Sequence, residues 1–410
     1  MESCSCGFDE SRIGSPAYFA DQYAVWDELR ETCGVHASQL FNGWVLTRYR
    51  EVDSCLRDTD NFSNAAATAR KIERYPEELR ERARPLLAYL DSRSVLFQDP
   101  PEHTKQRRIL ARAFVPHHIA NLEGTVREMT RALLEPHLAN GHMEFLQDVA
   151  RPLPGMVLAH FLGVPDADRE QFVKWGRAAV GISMAVKPTE QIVDDALDAY
   201  KGMSEYIEAL LDERRAQPPR DDFIGLVMAA EGGNALTHEE VVASCIMQLY
   251  AGHETSTVML STGLLALLQH PDQRTLLADR PDLIPDAVEE MLRWKGPVVM
   301  IPARGALHDI VIGGKQIPAG AGVFNAIGVA NRDPRSFPDA HVFDITRKAR
   351  QLEFGAGAHL CLGAPVARLE ARVMLEEMLS AMPRLRLADE PVAFLELVSL
   401  CAPAALHIEW

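Results

Sequence analysis

The segment Phe354-Gly355-Ala356-Gly357-Ala358-His359-Leu360-Cys361-Leu362-Gly363-Ala364-Pro365-Val366-Ala367-Arg368 sets a cysteine among glycines, just ahead of a proline. A thiol becomes a nucleophile or a metal ligand as its thiolate, and a helix N-terminus favours that form through its dipole and free amides. Pro365 suits the first turn of a helix, and the apolar spacing of Leu369, Val373 and Leu375 continues one. Cys361 is therefore expected just before a helix N-terminus, where backbone N–H groups can moderate the charge on a metal-bound sulfur. Gly355, Gly357 and Gly363 allow a backbone path closed to other residues, which suits a loop lying flat against a planar group. A zinc site built on His359 and Cys361 would need a second pair of ligands, and no matching pair stands nearby.

Three further clusters carry chemistry. Ala251-Gly252-His253-Glu254-Thr255 places a carboxylate and a hydroxyl inside an apolar helical pattern flanked by Ile246, Leu249, Val258 and Leu260. Glycine within a helix costs about 0.5–1 kcal/mol relative to alanine, and buried polar groups cost more unless bonded. A break in the helix there needs a functional reason. In Asp99-Pro100-Pro101-Glu102-His103-Thr104-Lys105-Gln106-Arg107-Arg108, His103 and Arg107 share one helical face at a spacing of four. Glu290 and Arg293 stand at i, i+3, and Arg347 follows in Phe343-Asp344-Ile345-Thr346-Arg347.

The elements that must position these groups are mostly helical. Apolar spacing predicts helices near 21–32, 117–138, 149–162, 166–180, 190–214, 238–268, 281–294 and 365–382. Strand-like pieces are few: Trp44–Tyr49, Met300–Ile312, Val323–Ile327 and the last dozen residues. Thr237 and Glu240, after Gly232-Gly233-Asn234, form a capping box that opens the longest pattern, which must cross the middle of the molecule. No repeat or linker divides the chain, so residues 1–410 are expected to form a single domain, with an irregular segment at 1–20.

Composition narrows the function classes. Apolar residues make up 47% and charged residues 24%, the balance of a chain with a large core. A formal charge of −16 argues against nucleic-acid binding, which needs a basic footprint. Seven cysteines without regular spacing, Cys4, Cys6, Cys33, Cys55, Cys245, Cys361 and Cys401, read as reduced thiols, and Cys4-Ser5-Cys6 matches no common zinc spacing. The longest apolar stretch, Val258 to Leu268, falls short of the roughly 20 residues a membrane span needs, and Met1 to Gly14 lacks a signal core. A cytoplasmic, non-anchored monomer is expected.

The pattern Phe-x-x-Gly-x-His-x-Cys-x-Gly-x-x-x-Ala-Arg, matched here at every fixed position, resembles the haem-binding loop of the cytochrome P-450 superfamily. Seven fixed residues at about one in twenty each give on the order of one chance match in a billion start sites. Glu290 and Arg293 resemble the family's Glu-x-x-Arg pair, with Arg347 as the third member of a structural charge triad. Ala330-Asn331-Arg332-Asp333-Pro334 and Phe337-Pro338 extend the likeness, which spans about residues 45 to 405.

The resemblance implies a mainly α fold with a small β region and a long central helix. It implies haem b as cofactor, with Cys361 as the axial ligand of the iron, and haem contacts from His103, Arg107, Arg304, His359, Ala251, Gly252, Phe354, Gly355 and Gly363. His103, Arg107, Arg304 and His359 would hold the propionates. Thr255 would hold dioxygen and water by hydrogen bonds, and Glu254 would help relay protons inward, a general-acid task. The implied activity is a monooxygenase that inserts one oxygen atom from O2 into an organic substrate, by hydroxylation or epoxidation, in secondary metabolism.

Electrons would come from NAD(P)H through an external ferredoxin and its reductase, because no flavin or iron–sulfur segment follows the fold before Trp410. Lys105, Arg108 and Arg112 would attract that acidic partner. Pro297–Ile301 and Leu397–Ser399 are expected in the pocket wall, with Val298, Val299, Met300 and Val398 as substrate contacts and a largely hydrophobic small molecule as substrate. The basic cluster Arg70, Lys71, Arg74, Arg80, Arg82 and Arg84 is expected to be a solvated helix face. The 190–214 helix is expected to belong to a moving lid. Two other readings share the cysteine: an atypical member of the same fold, peroxide-driven or coupling rings, and a haem sensor without catalysis. The intact Glu254-Thr255 pair favours oxygen activation over both.

Overall fold

The chain threads one long apolar helical pattern through two cores, and the rest of the fold is arranged around that crossing. The computed structural model describes residues 7–410 apart from 66, 74, 91–92, 186–187 and 233–234. Cys4, Cys6, Arg74, Gly233 and Asn234 thus lie outside the described residues. The pattern opens at the capping box, where Thr237 Oγ1 accepts the Glu240 N–H at 3.2 Å and Glu240 accepts the Thr237 N–H at 2.8 Å. It runs as His238–Gly252 and, after a break at His253, as Glu254–Gln269. The first half packs Cys245, Ile246 and Leu249 into a core shared with Arg169–Met184 and Glu190–Arg215. The second half packs Met259 and Leu264–Leu268 against Pro116–Leu134, Ile284–Lys295 and Ala364–Ala381. The break therefore sits where the helix changes neighbours.

A five-stranded sheet flanks this body. Its strands lie in the order Val35–Ser38, Gly43–Leu46, Gly322–Asn325, Ile301–Ala306 and Phe62–Ser63. Gly43–Leu46 and Gly322–Asn325 run parallel, with Trp44 opposite Val323, and the other pairs are antiparallel. The register shifts between Ile301 and Arg304. A smaller sheet joins His142–Glu144, His407–Glu409 and Arg386–Leu387.

Most expected elements are present with shifted ends. Trp44–Tyr49 stops as a strand at Leu46, because Asp333 accepts the Tyr49 N–H at 3.1 Å and starts the helix Tyr49–Arg57 there. Met300–Ile312 splits into Ile301–Ala306 and Ile310–Ile312. Helices at Phe223–Ala229 and Pro271–Asp279 add to those expected.

The N-terminal segment is more ordered than expected. It holds a 3-10 turn at Glu10–Arg12 and a short helix at Pro16–Ala20, capped by Asp9 and Ser15. Tyr18 is fully buried there and donates to the Val398 carbonyl at 3.0 Å. No helix among the described residues is long and apolar enough to cross a membrane.

Candidate active site

Cys361 reaches its position through the loop's own hydrogen bonds. Its N–H donates to the Phe354 carbonyl at 2.9 Å, and Gly355 and Gly357 take φ of 72° and 70°, a region that glycine adopts without strain. At Gly357 a Cβ would also lie 2.8 Å from the Arg57 Cα, so the loop seats directly on the Tyr49–Arg57 helix. Gly363 caps the helix Ala364–Ala381, with Pro365 in its first turn, as the spacing predicted. Burial raises the Cys361 pKa, and hydrogen bonds from the Gly363 and Ala364 amides act against that. Cys55, Cys245 and Cys401 are buried thiols pushed up to about 11, 12 and 11. Cys361 differs by opening onto a cavity.

That cavity, about 350 Å³, runs from Cys361 to the break in the central helix. Phe354, Gly355, His359, Gly363, Arg304, Ala251, Gly252 and Thr255 all line it, so segments distant in sequence converge as expected. Leu96, Phe97, Leu158 and Val180 give it apolar walls. Val298 and Met300 face it, but Val299 and Val398 do not. Those two pack with Tyr18, Trp26 and Phe324 in the N-terminal core, which corrects their assignment as substrate contacts.

The break itself is built by His253. Its Nε2 lies 3.1 Å from the Arg151 carbonyl, and its Nδ1 lies 3.8 Å from Glu254 Oε2. Gly252 leaves room for Leu158, whose methyl carbon would stand 3.4 Å from a Cβ. Thr255 Oγ1 donates to the Ala251 carbonyl at 2.7 Å, so its lone pairs remain to accept from a small molecule in the cavity. Glu254 lies outside the cavity wall, on the His253 side, with Oε2 buried and without a hydrogen-bond partner among the described residues.

At the cavity's edge the rings of His103 and His359 lie 4.1 Å apart, centroid to centroid. Both nitrogens of His103 and Nε2 of His359 are buried without hydrogen-bond partners among the described residues. Burial, then His103, Arg304 and Arg107, push His359 down to about 3. Burial and Arg107 also lower His103. Arg304 donates to Asn64 and Phe62 at 2.8 Å and to the Cys55 carbonyl, and Arg107 donates to the Leu360 carbonyl. His103 and Arg107 stand behind His359 and outside the cavity lining.

Orphaned donors beside two guanidinium groups form a rim that suits carboxylates. Among the described residues no three His, Cys, Asp or Glu side chains converge to hold a metal ion. A single amide-bonded sulfur beneath an apolar cavity fits a metal whose other ligands belong to a flat macrocycle, and the rim fits that macrocycle's acidic substituents. The residues present fit a haem.

The charge triad forms behind the site. Arg293 binds both oxygens of Glu290 at 2.7 Å, and Arg347 Nε reaches Glu290 at 3.3 Å. Two buried carboxyls in the site were missed from sequence. Glu353 accepts the Val298 N–H at 2.6 Å and the Asn331 amide at 3.3 Å, which fixes the Pro297–Ile301 wall to the cysteine loop. Glu370 touches Ser256, the neighbour of Thr255. Burial pushes each of these two carboxyls up to about 8. The signal for Glu370 was its place on the stripe Val366, Glu370, Val373, where an acid interrupts helical apolar spacing.

Comparison with known proteins identifies the family. A family model described as Cytochrome P450 matches residues 61–382. The chain is 37% identical over 394 residues to "Cytochrome P450 130" of Mycobacterium tuberculosis (strain ATCC 25618 / H37Rv), covering 94% of each chain. It is 33% identical over 382 residues to the "Biotin biosynthesis cytochrome P450" of Bacillus subtilis (strain 168), covering 92% of this chain and 93% of that one. Among solved structures, P450BioI in complex with hexadec-9Z-enoic acid ligated acyl carrier protein superposes with a TM-score of 0.88. The two share 33% identity over 97% of this chain and 100% of that one. The chain belongs to the cytochrome P450 family, a family of haem-containing oxidoreductases.

Proposed function

We propose that this protein is a haem-thiolate monooxygenase acting on a largely hydrophobic small molecule, with Cys361 as the axial ligand. The observation that carries the reading is that Cys361 and Thr255, more than a hundred residues apart in sequence, line one apolar cavity. Haem bound there supplies reductive activation of dioxygen, favoured by electron donation from a thiolate. The chain's own residues do the rest. The Gly363 and Ala364 amides hold the sulfur's charge, and the His103–His359 edge with Arg107 and Arg304 takes the propionates. Leu96, Phe97, Leu158 and Val180 keep water from the substrate's reacting carbon. Thr255, its proton engaged by Ala251, accepts a hydrogen bond from water beside that carbon. Glu254, half-buried next to His253 with its Oε2 shielded from solvent, passes protons toward that water. Electrons arrive from NAD(P)H through a ferredoxin and its reductase, and secondary metabolism is the setting we favour.

Thr255→Ala tests the reading. Oxygen consumption should continue while product per oxygen falls about tenfold or more, in the range of a lost acid–base contribution. Unchanged coupling in Thr255→Ala and in Glu254→Gln would overturn the role given to this pair.

A further inference from the structure

Beside the cavity over Cys361 lies a second chamber of about 570 Å³. The two share Ala67, Phe97, Tyr250 and the segment Met300–Ala303 as common wall, so they adjoin. The second chamber has apolar walls in Ile72, Leu86, Phe97 and Phe324. Two cations stand in its wall: Lys71, on the helix Ala67–Ile72, and Arg80, on the helix Glu77–Ala83.

The basic cluster was expected to be one solvated face, and the structure divides it. Arg82 faces out and binds Asp194 with contacts of 2.6 and 2.5 Å, and Arg84 binds Glu81 at 2.8 Å. Arg70 donates to the Ala65 carbonyl at 2.6 Å and packs over Gly305. Lys71 instead extends inward and donates to the Ile182 carbonyl at 2.8 Å. Arg80 meets Glu73 at 3.5 Å, but Glu73 is 64% exposed, and such a pair is weak and easily exchanged. The Arg80 Nε–H is buried and without an acceptor among the described residues. A buried donor left unmade costs free energy that an incoming acceptor recovers.

Among the described residues the charged groups in the chamber wall are Lys71, Arg80 and Glu73, two cations to one anion; Gln39, Asn42, Thr68, Tyr75 and Ser399 add neutral polar groups. One excess charge matches a monoanion, and apolar walls adjoining the cavity over Cys361 match a long hydrocarbon. We infer that Lys71 and Arg80 seat the carboxylate of a long-chain acid whose tail passes the Met300–Ala303 wall toward the space above Cys361. This names a substrate class for the proposed oxygenase, and in its second half it rests on that reading.

Calorimetric titration of the haem-loaded protein with dodecanoic acid and with its methyl ester tests the seat. A charged hydrogen-bonded contact of this kind predicts that the acid binds about tenfold or more tightly than the ester. Lys71→Gln combined with Arg80→Gln should abolish that preference while ester binding stays as it was, and Arg80→Lys should keep it. Equal binding of acid and ester by the wild-type protein would overturn the inference, whatever the variants do. So would a full preference retained in the double variant. The titration does not read the thiolate. An intact acid preference without a thiolate spectrum would remove the oxygenase reading alone, and the opposite result would remove the seat alone.

Discussion

Arg293 holds Glu290 in a two-pronged contact, both bonds 2.7 Å long, with neither side chain exposed to solvent at all. The remaining guanidinium hydrogens go to the carbonyls of Asn331, Ala340 and Val342. Glu290 Oε1 also accepts the Asp344 N–H at 2.9 Å, so one ion pair ties a helix to two loops. Removing one partner of such a pair leaves a buried charge uncompensated. Arg293→Ala should therefore cost about 3–5 kcal/mol in chemical denaturation. Arg347→Ala, whose partner contact is longer and whose side chain is 14% exposed, should cost clearly less. Equal losses would mean that the triad is not organised around Arg293.

The loop's seat on the Tyr49–Arg57 helix gives a second prediction. Gly357→Ala places a methyl group 2.8 Å from the Arg57 Cα and 2.9 Å from the Leu56 carbonyl, at a φ of 70°. Backbone must move, so haem retention should fall sharply in that variant. Gly124→Ala, in the helix Pro116–Leu134 with nothing within 4 Å of the new atom, should instead stabilise by about 0.5–1 kcal/mol. Absorbance of the bound cofactor and thermal unfolding read the two effects separately.

Glu370 makes stability depend on pH. Burial raises its pKa from 4.5 to about 8, and its Oε2 has no hydrogen-bond partner among the described residues. The folded state keeps the proton that the unfolded state releases, so this contribution is complete below pH 4.5 and is lost as pH rises to about 8. Glu370→Gln should remove that slope, gaining on the order of a few kcal/mol over wild type in mildly alkaline solution and little in acid. A parallel pH dependence in both proteins would show that Glu370 titrates normally.

Partner docking can be tested on the exposed residues Arg108 and Arg112. They follow Arg107, which donates to the carbonyl of Leu360, next to Cys361. Charge reversal to Glu at both positions should slow reduction by ferredoxin about tenfold at low salt and much less at high salt, where screening already weakens steering. Rates unchanged at low salt would place the docking face elsewhere.

Some of this was legible in the sequence because local rules decided it. Glycine spacing, the cysteine and Pro365 fix a loop and a helix start within fifteen residues, and Thr237 with Glu240 marks the central helix at its first turn. The split of that helix at His253 was foreshadowed by Gly252 and the polar cluster, although the anchoring of His253 on Arg151 was not. Contacts between distant segments were the harder part. Val299 and Val398 look like pocket residues by neighbourhood, yet the backbone turns both toward Tyr18 and Trp26. Lys71 and Arg80 look like their solvated neighbours Arg82 and Arg84, and only the packing of two short helices separates them. Short helices held by caps, such as Pro16–Ala20, carry too few residues for a periodic signal.

Ligation of iron by the Cys361 sulfur is read most directly from the carbon monoxide difference spectrum of the reduced protein. The wild-type protein should show the strongly red-shifted absorption of thiolate coordination, and Cys361→Ser should lose it. The red-shifted band persisting in Cys361→Ser, or absent from a haem-loaded wild-type protein, would contradict that ligation.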